Sequence, residues 1–123
     1  MATAVGSFAI GSTGNLTISS LPFTPTAIEF TISADTSGAE NTIAHFSTGR
    51  TDGTNSSSES ILVTSALTLT RRSNSYCLTH YNITSGSSYR TISATFVSFG
   101  TNSFTLNFDR ANVNFSIDFV IHG

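Results

Sequence analysis

The chain has 123 residues, of which 10% are charged and a third are Ser or Thr, and its formal net charge is −2. This length suits one domain with a single core, and ten Phe residues provide bulky apolar side chains for that core. The absence of a basic stripe excludes a typical nucleic-acid-binding protein, and no apolar run reaches the roughly 20 residues that a membrane-spanning helix needs.

The cysteine content and the amino terminus bear on redox chemistry and export. Cys77 is the one cysteine of the sequence, so an internal disulfide is excluded, and packing and hydrogen bonds must hold the fold. No basic residue precedes the apolar stretch within residues 1–11, so we expect no signal peptide.

Alternation of apolar and polar residues, the pattern of half-buried strands, begins at the amino terminus. Phe8 and Ile10 share one face of a first strand, and Leu16 and Ile18 share one face of a second. Residues 11–15 between them are typical of a turn, so we predict that the two strands pair as a hairpin. Two prolines then interrupt the pattern, because neither can donate a ladder hydrogen bond.

The middle of the chain is predicted to contain further strands around one long polar segment. Ala27–Ser33 alternates regularly, with its isoleucines and phenylalanine facing inward. Thr42–Thr48, Ser60–Thr70 and Tyr76–Ile83 are also predicted strands. Residues 49–59 carry no apolar side chain, so we predict that they form a surface loop.

The last third carries the clearest alternation. Thr91–Phe99 and Phe104–Phe108 flank residues 100–103, which is a hairpin signal, and a final strand follows. The inward rows of these three strands are predicted to lie in one core. The predicted core residues are Phe96, Phe104, Leu106, Phe108, Phe115, Ile117 and Phe119.

These strand lengths and turn signals predict an all-β fold. We expect an antiparallel β-sandwich, jelly-roll-like, of about eight to ten strands. No helical periodicity persists for three turns, and no repeat or linker divides the chain. Residues 1–123 are therefore predicted to form a single β-sandwich domain.

A set of aromatic and polar residues forms the candidate ligand-binding site. Tyrosine rings offer an apolar face on which a sugar ring can stack, while Asp, Asn and Arg side chains hydrogen-bond its hydroxyl groups. The candidates are Asp52, Asn55, Tyr76, Tyr81, Tyr89 and Arg90. In the alternative interpretation, the tyrosines complete the rim of the core and the polar segment around Asp52 is merely solvated.

No catalytic or metal-binding constellation is recognisable. His45, His80 and His122 are not at metal-ligand spacing from one another. No nucleophile-elbow sequence of the Gly-x-Ser-x-Gly kind is present, and the seven carboxylates are scattered along the chain. We therefore expect no enzyme activity, no bound metal and no cofactor.

Several short segments form an ordered set along the chain. Ala94–Phe99, Phe104–Phe108 and Phe119–Gly123 read like ASFVSF, DGFTLNW and YLAIGG, in that order. Leu21–Phe30 reads like GFQPKAVLF, and residues 52–55 and 71–75 read like DGTN and RRxSN. Together these segments resemble a phage and prophage structural-protein family over most of the chain from Thr13 onward.

The departures from that family concern mainly the last hairpin. Ser103 stands where the family usually has Gly, so the turn must find its positive-φ residue elsewhere, and Asn102 is the candidate. Phe108 replaces the usual Trp, and His122 replaces the first Gly of the terminal pair. Members of the family lie among tail and virion genes, so the resemblance implies a setting in the phage particle and names no catalytic residue.

The first functional hypothesis is a non-enzymatic virion structural or adhesion module, at a tail fibre, tail tip or capsid surface, that presents loops from a rigid sandwich. The resemblance implies that it is made in the bacterial cytoplasm without a signal peptide and incorporated into the virion. Two alternatives are a stand-alone carbohydrate-binding lectin and a glycan depolymerase, which would need two carboxyl groups facing each other in a cleft.

The expected partners are other virion proteins, a host cell-surface glycan and further copies of the chain. The sequence has no Lys, the residue that commonly protects edge strands, so we expect a homo-oligomer. The three-fold symmetry common in tail fibres favours a trimer. The alternative is a monomer whose edges are protected by Pro22, Pro25 and short strands. No nucleic acid and no membrane insertion are expected.

Overall fold

A computed structural model describes residues 2–33, 44–63, 69–84, 87–111 and 115–123. Within them the chain has ten antiparallel strands and no helix, which confirms the predicted antiparallel sandwich, whereas its jelly-roll-like connectivity stays a prediction. The strands are β1 (Thr3–Ala9), β2 (Gly14–Ile18), β3 (Ala27–Ser33), β4 (Ala44–Thr51), β5 (Ser56–Val63), β6 (Leu69–Asn74), β7 (Leu78–Thr84), β8 (Ser87–Gly100), β9 (Ser103–Arg110) and β10 (Ser116–His122).

The strands form two sheets that enclose one core. The six-stranded sheet has the order β1-β10-β3-β4-β5-β6, and the four-stranded sheet has the order β2-β9-β8-β7. Of the predicted core residues, five are buried and two, Phe96 and Phe115, are partly buried against the same cluster. The Phe104 ring lies edge-on to Phe8, Phe30 and Phe119 at centroid distances of 6.3, 6.1 and 5.3 Å, an arrangement that aromatic rings favour.

The predicted hairpin between β8 and β9 is confirmed. Gly100 pairs with Ser103 at its end, and Asn102 has a φ of 49°, so it supplies the positive-φ residue that the turn needs. The segment before β3 holds this turn in place. The Thr24 hydroxyl accepts a hydrogen bond from the Asn102 N–H at 2.9 Å, and the Leu21 N–H donates to the Asn102 carbonyl at 3.0 Å.

The predicted hairpin between the first two strands is wrong. β1 pairs with β10 and β2 pairs with β9, so the short connection between β1 and β2 crosses from one sheet to the other. This arrangement lets Phe8 and Leu16 approach the core from opposite sheets. Alternation specifies which face of a strand is buried, but it does not specify the neighbouring strand.

Two further boundaries differ from prediction. The segment 49–59 is not a loop, because β4 continues to Thr51 and β5 begins at Ser56, leaving a turn of four residues. The predicted strand Ser60–Thr70 is also wrong, since β5 ends at Val63 and β6 begins at Leu69; residues 64–68 lie outside the described part of the chain. The apolar alternation of β5 continues in step into β6, so the sequence pattern did not reveal that the chain reverses between these two antiparallel strands.

Short polar side chains fill the end of the sandwich where β4 and β5 face β7. Ser47, Ser58, Ser60, Thr79 and His80 are all buried there. Gly49 lies among them, and a Cβ at this position would be 1.9 Å from the Cys77 carbonyl oxygen. The sheets approach each other closely because Gly49 and the serines are small. Hydrogen bonds between the sheets replace apolar contacts here, which explains why residues 56–60 of β5 have no apolar signature.

Candidate functional site

The outer face of the six-stranded sheet is mainly polar across five strands, with two valines, Val5 and Val120, at its β1 end. Side chains alternate along each strand, so the residues between the buried positions point outward. The strand register aligns these outward residues in two rows across the sheet. One row is Ser7, Asp118, Thr31, Thr48 and Glu59, and the next is Val5, Val120, Glu29, Arg50 and Ser57.

The two rows line a groove of about 1090 Å³. Strands lie about 4.8 Å apart, so polar groups recur at about that interval along the groove. Hydroxyl groups donate and accept hydrogen bonds, carboxylates accept them and a guanidinium donates them. The lining therefore suits a ligand that presents many hydroxyl groups along its length.

The charges of the groove are predominantly negative. Glu29, Glu59 and Asp118 contribute three carboxylates, and Arg50 contributes one guanidinium. The Arg50 Nε donates to the Ser57 hydroxyl at 3.1 Å. The surplus of two carboxylates disfavours an anionic ligand, since each like-charge approach is repulsive.

An apolar pair adjoins the polar rows. Phe46 on β4 lies directly opposite Ile61 on β5, and each lies two residues along its strand from Thr48 or Glu59 on the same face. Phe46 is 46% exposed, which makes it one of the large apolar side chains that the described residues leave in solvent. The groove thus has an aromatic ring next to its hydrogen-bonding rows.

Two of the predicted site residues, Asp52 and Asn55, lie in the turn between β4 and β5. The Asp52 Oδ1 accepts hydrogen bonds from the backbone N–H groups of Asn55 at 2.6 Å and Thr54 at 2.9 Å. These bonds, that from Asn55 most strongly, hold the pKa of Asp52 below its ordinary value. The turn borders a depression of about 560 Å³ that shares Glu29 and Arg50 with the groove, so this part of the prediction adjoins the groove.

The other predicted site residues lie on the four-stranded sheet or, for Tyr76, in the segment just before β7. The Arg90 guanidinium is 4.8 Å from the centroid of the Tyr76 ring and 3.7 Å from the Asp109 carboxylate. Tyr81 pairs with Arg90 across the β7–β8 ladder, and the side chain of Tyr89 lies outside the described part of the chain. Of the five candidates whose side chains are described, Asp52 and Asn55 lie in the β4–β5 turn, and Tyr76, Tyr81 and Arg90 lie on or beside the other sheet.

The structure contains a serine–histidine contact that the sequence analysis did not predict. The Ser47 Oγ lies 2.6 Å from the His80 Nδ1 and 2.8 Å from the Ser60 Oγ. Such a contact is typical of an activated nucleophile, but Ser47 and His80 have an exposed fraction of 0%, so a substrate cannot reach them in this conformation. The contact joins the two sheets. The alternating serines at 56, 58 and 60 were the one sequence signal for a polar core here.

Two carboxylates are closer together than their sequence positions suggest. Glu29 and Asp118 are diagonal neighbours on β3 and β10, because Glu29 pairs with Val120 and Asp118 with Thr31. Diagonal neighbours on one face lie roughly 7–8 Å apart at their Cα atoms, which places both carboxylates in the same part of the groove. A glycosidase shields its acid from water, whereas the Glu29 side chain is 63% exposed and contacts the His122 Nε2 at 3.0 Å.

The described residues offer no metal ligand set. Among them, no group of three or more His, Cys, Asp or Glu side chains is placed to hold a metal ion. Cys77 is buried, its Sγ donates to the Ala94 carbonyl, and burial raises the pKa of its thiol to about 12. In the same described ranges no helix has the length and apolar character to cross a membrane.

Comparison with known proteins identifies no relative: no family model, curated protein or solved structure matches the chain. The resemblance to phage structural proteins therefore stays a prediction. What the chain binds must be inferred from the two-sheet fold and the groove.

Proposed function

We propose that the chain is a non-enzymatic structural and adhesion module of a phage particle, and that it binds a glycan along the groove of its six-stranded sheet. The phage setting follows from the ordered resemblance of its segments to phage structural proteins. The binding face follows from the groove. Its partners in the particle are other virion proteins and further copies of itself.

The observation that carries the proposal is the pair of aligned rows on the outer face. Hydroxyl, carboxylate and guanidinium groups recur across five neighbouring strands, and an extended chain of sugars presents hydroxyl groups with a similar regularity. The exposed Phe46 ring supplies an apolar surface on which a sugar ring can stack. The paired strands fix the backbone positions of these groups, so no loop has to become ordered on binding.

The charge of the groove narrows the ligand to a neutral or amino-bearing glycan. Three carboxylates face one guanidinium, so uronic or sialic acids meet repulsion, whereas an amino sugar gains an ionic partner. Because the groove is open to solvent, salt weakens this preference.

Glycan-array screening followed by calorimetry tests the binding face. Arg50→Ala and Phe46→Ala should each weaken binding roughly tenfold, since one removes a charged hydrogen-bond donor and the other a stacking surface. Arg110→Ala is the matched control, because Arg110 is also exposed but lies on β9 of the other sheet. Absence of binding to any glycan, or equal weakening by the control, would contradict the proposal.

A stand-alone lectin is the second candidate, because it would use the same groove without a particle. Mass spectrometry of phage particles from a culture that carries the gene separates the two. Stoichiometric recovery of the chain with other virion proteins supports the module, and its absence from intact particles supports the lectin.

A depolymerase is the third candidate, favoured by the Glu29–Asp118 pair alone. Incubation of bound glycan with the protein, followed by measurement of new reducing ends, tests it. We expect none. Turnover that is abolished in both Glu29→Gln and Asp118→Asn would establish an enzyme instead.

A further inference from the structure

β1 differs from the other three edge strands of the described sandwich in that nothing protects its free edge. Edge strands present unpaired N–H and C=O groups, and proteins usually blunt them with charges, bulges or prolines. Residues 3–9 include no charge and no proline, and among the described strands β1 pairs with β10 alone.

Each remaining edge has a protective feature. The sequence of β6 includes two arginines, Arg71 and Arg72, and charged residues are a common means of protecting an edge strand. The β7–β8 ladder has a β-bulge at Thr91 of β8, opposite His80 and Tyr81, and a bulge increases the local twist and turns the edge away from a flat partner. β2 is two residues shorter than β1, and its outward Asn15 hydrogen-bonds to Asn107 at 2.8 Å within its own sheet.

The outward side chains of β1 also leave apolar surface exposed to solvent. Val5 is 78% exposed, the highest value among the large apolar side chains that the described residues leave in solvent. It lies directly opposite Val120 on β10, so two valines form an apolar step at the edge of the sheet. In every symmetric antiparallel register of β1 with a second β1, Val5 faces one of four uncharged residues: Thr3, Val5, Ser7 or Ala9.

We infer that two copies of the chain pair antiparallel through β1 and form a two-fold dimer with a continuous twelve-stranded sheet. A two-fold contact uses the same surface on both copies and is therefore closed. The three-fold assembly expected from the phage setting needs a different, head-to-tail contact. The dimer does not depend on what the groove binds.

The pairing would also join the two binding faces. Val5, Gly6 and Ser7 line one end of the groove, and they belong to the strand at which the copies meet. The two grooves would then meet end to end across the two-fold axis. If the proposed function holds, one long glycan can lie in both grooves, and its second half binds at a high effective concentration.

Sedimentation equilibrium of the native chain and of a variant with a charge at position 5 tests the dimer. The native chain should sediment at twice its 13.0 kDa mass, and Val5→Lys should weaken self-association at least tenfold, because each copy then places a charge at the edge where the strands pair. Val97→Lys is the matched control: Val97 is 47% exposed but lies on β8, an interior strand, so the dimer should persist.

Mixing complementary variants distinguishes pairing from damage to the fold. Val5→Lys and Val5→Glu should each be monomeric with native circular dichroism, and an equimolar mixture should recover the mass of two chains. A native chain that stays at 13.0 kDa on concentration, a native trimer, or a mixture that stays monomeric would overturn the inference. None of these masses depends on glycan binding, so failure of the dimer and failure of the proposed function are distinguishable.

Discussion

The Nδ1 atom of His80 lies 2.6 Å from the Oγ of Ser47, and both side chains are buried between the two sheets. Ser47 also contacts the Ser60 hydroxyl at 2.8 Å, and the Ser60 hydroxyl donates to the Thr79 carbonyl at 3.2 Å. These bonds connect β4 and β5 to β7. Hydrogen bonds thus join the sheets at this end, whereas the apolar contacts of Phe104 with Phe8, Phe30 and Phe119 join them elsewhere in the core.

Ser47→Ala should destabilise the fold by roughly 1–3 kcal/mol, because the partners of its hydroxyl then stay buried without it. The measurement is the unfolding free energy from urea denaturation. Ser57→Ala, on the outer face of β5, is the control and should cost under about 0.5 kcal/mol. Equal effects at the two positions would mean that the buried network does not stabilise the sandwich.

Phe108→Ala should cost roughly 3–5 kcal/mol, because the side chain is 1% exposed in the centre of β9 and its removal leaves a cavity. Phe46→Ala, which removes the same atoms from the outer face, should cost under about 1 kcal/mol. The unfolding free energies of both variants are measured by urea denaturation. A larger loss of stability in Phe46→Ala than in Phe108→Ala would contradict the assignment of the inward and outward faces.

Gly49→Ala should destabilise the fold by roughly 1–3 kcal/mol or more, because the added Cβ would lie 1.9 Å from the Cys77 carbonyl oxygen and backbone must move. Gly11→Ala is the control, since no atom lies within 4 Å of a Cβ there. Thermal unfolding of both variants checks the prediction. A Gly49→Ala melting temperature equal to that of Gly11→Ala would contradict the close approach of β4 to β7.

The native chain should lose stability in alkaline solution through Cys77. Burial raises the pKa of this thiol from 9.0 to about 12, so the folded state keeps its proton where the unfolded state has lost it. The contribution is complete below pH 9 and falls by about 1.4 kcal/mol per pH unit between pH 9 and 12.

Unfolding free energies measured between pH 8 and 11 for the native chain and Cys77→Ser check this effect. Serine can keep the hydrogen bond to the Ala94 carbonyl and does not titrate in this range, so the difference between the two curves isolates the thiol from the tyrosines. Parallel curves would show that Cys77 is not buried in solution.

The sequence predicted those features that depend on local pattern. Alternation identified the inward residues of β3, β9 and β10, and the missing glycine at position 103 indicated Asn102 as the positive-φ residue. Strand partnership depends on which apolar faces meet, so β1 and β2 were wrongly paired. The strand at 56–60 was missed because its buried serines are satisfied by Thr79 and Ser47, which lie 13 to 21 residues away in the sequence.

The candidate site was harder to predict for the same reason. Asp52 and Asn55 were identified because turn residues are recognisable locally, and they adjoin the groove. The groove itself depends on strand register: Asp118, Thr31 and Thr48 become neighbours only when β10, β3 and β4 are aligned. Glu29 and Asp118 are 89 positions apart, and no spacing rule connects them.

The most direct test of the binding face is a nuclear magnetic resonance titration of the isotope-labelled chain with neutral and amino-bearing oligosaccharides. We expect concentration-dependent amide shifts at Thr31, Thr48, Arg50 and Asp118, and little change at Tyr76 and Arg90. Shifts confined to the Tyr76–Arg90 region, or no shifts with any oligosaccharide that the glycan array identifies, would contradict the assignment of the groove as the binding site.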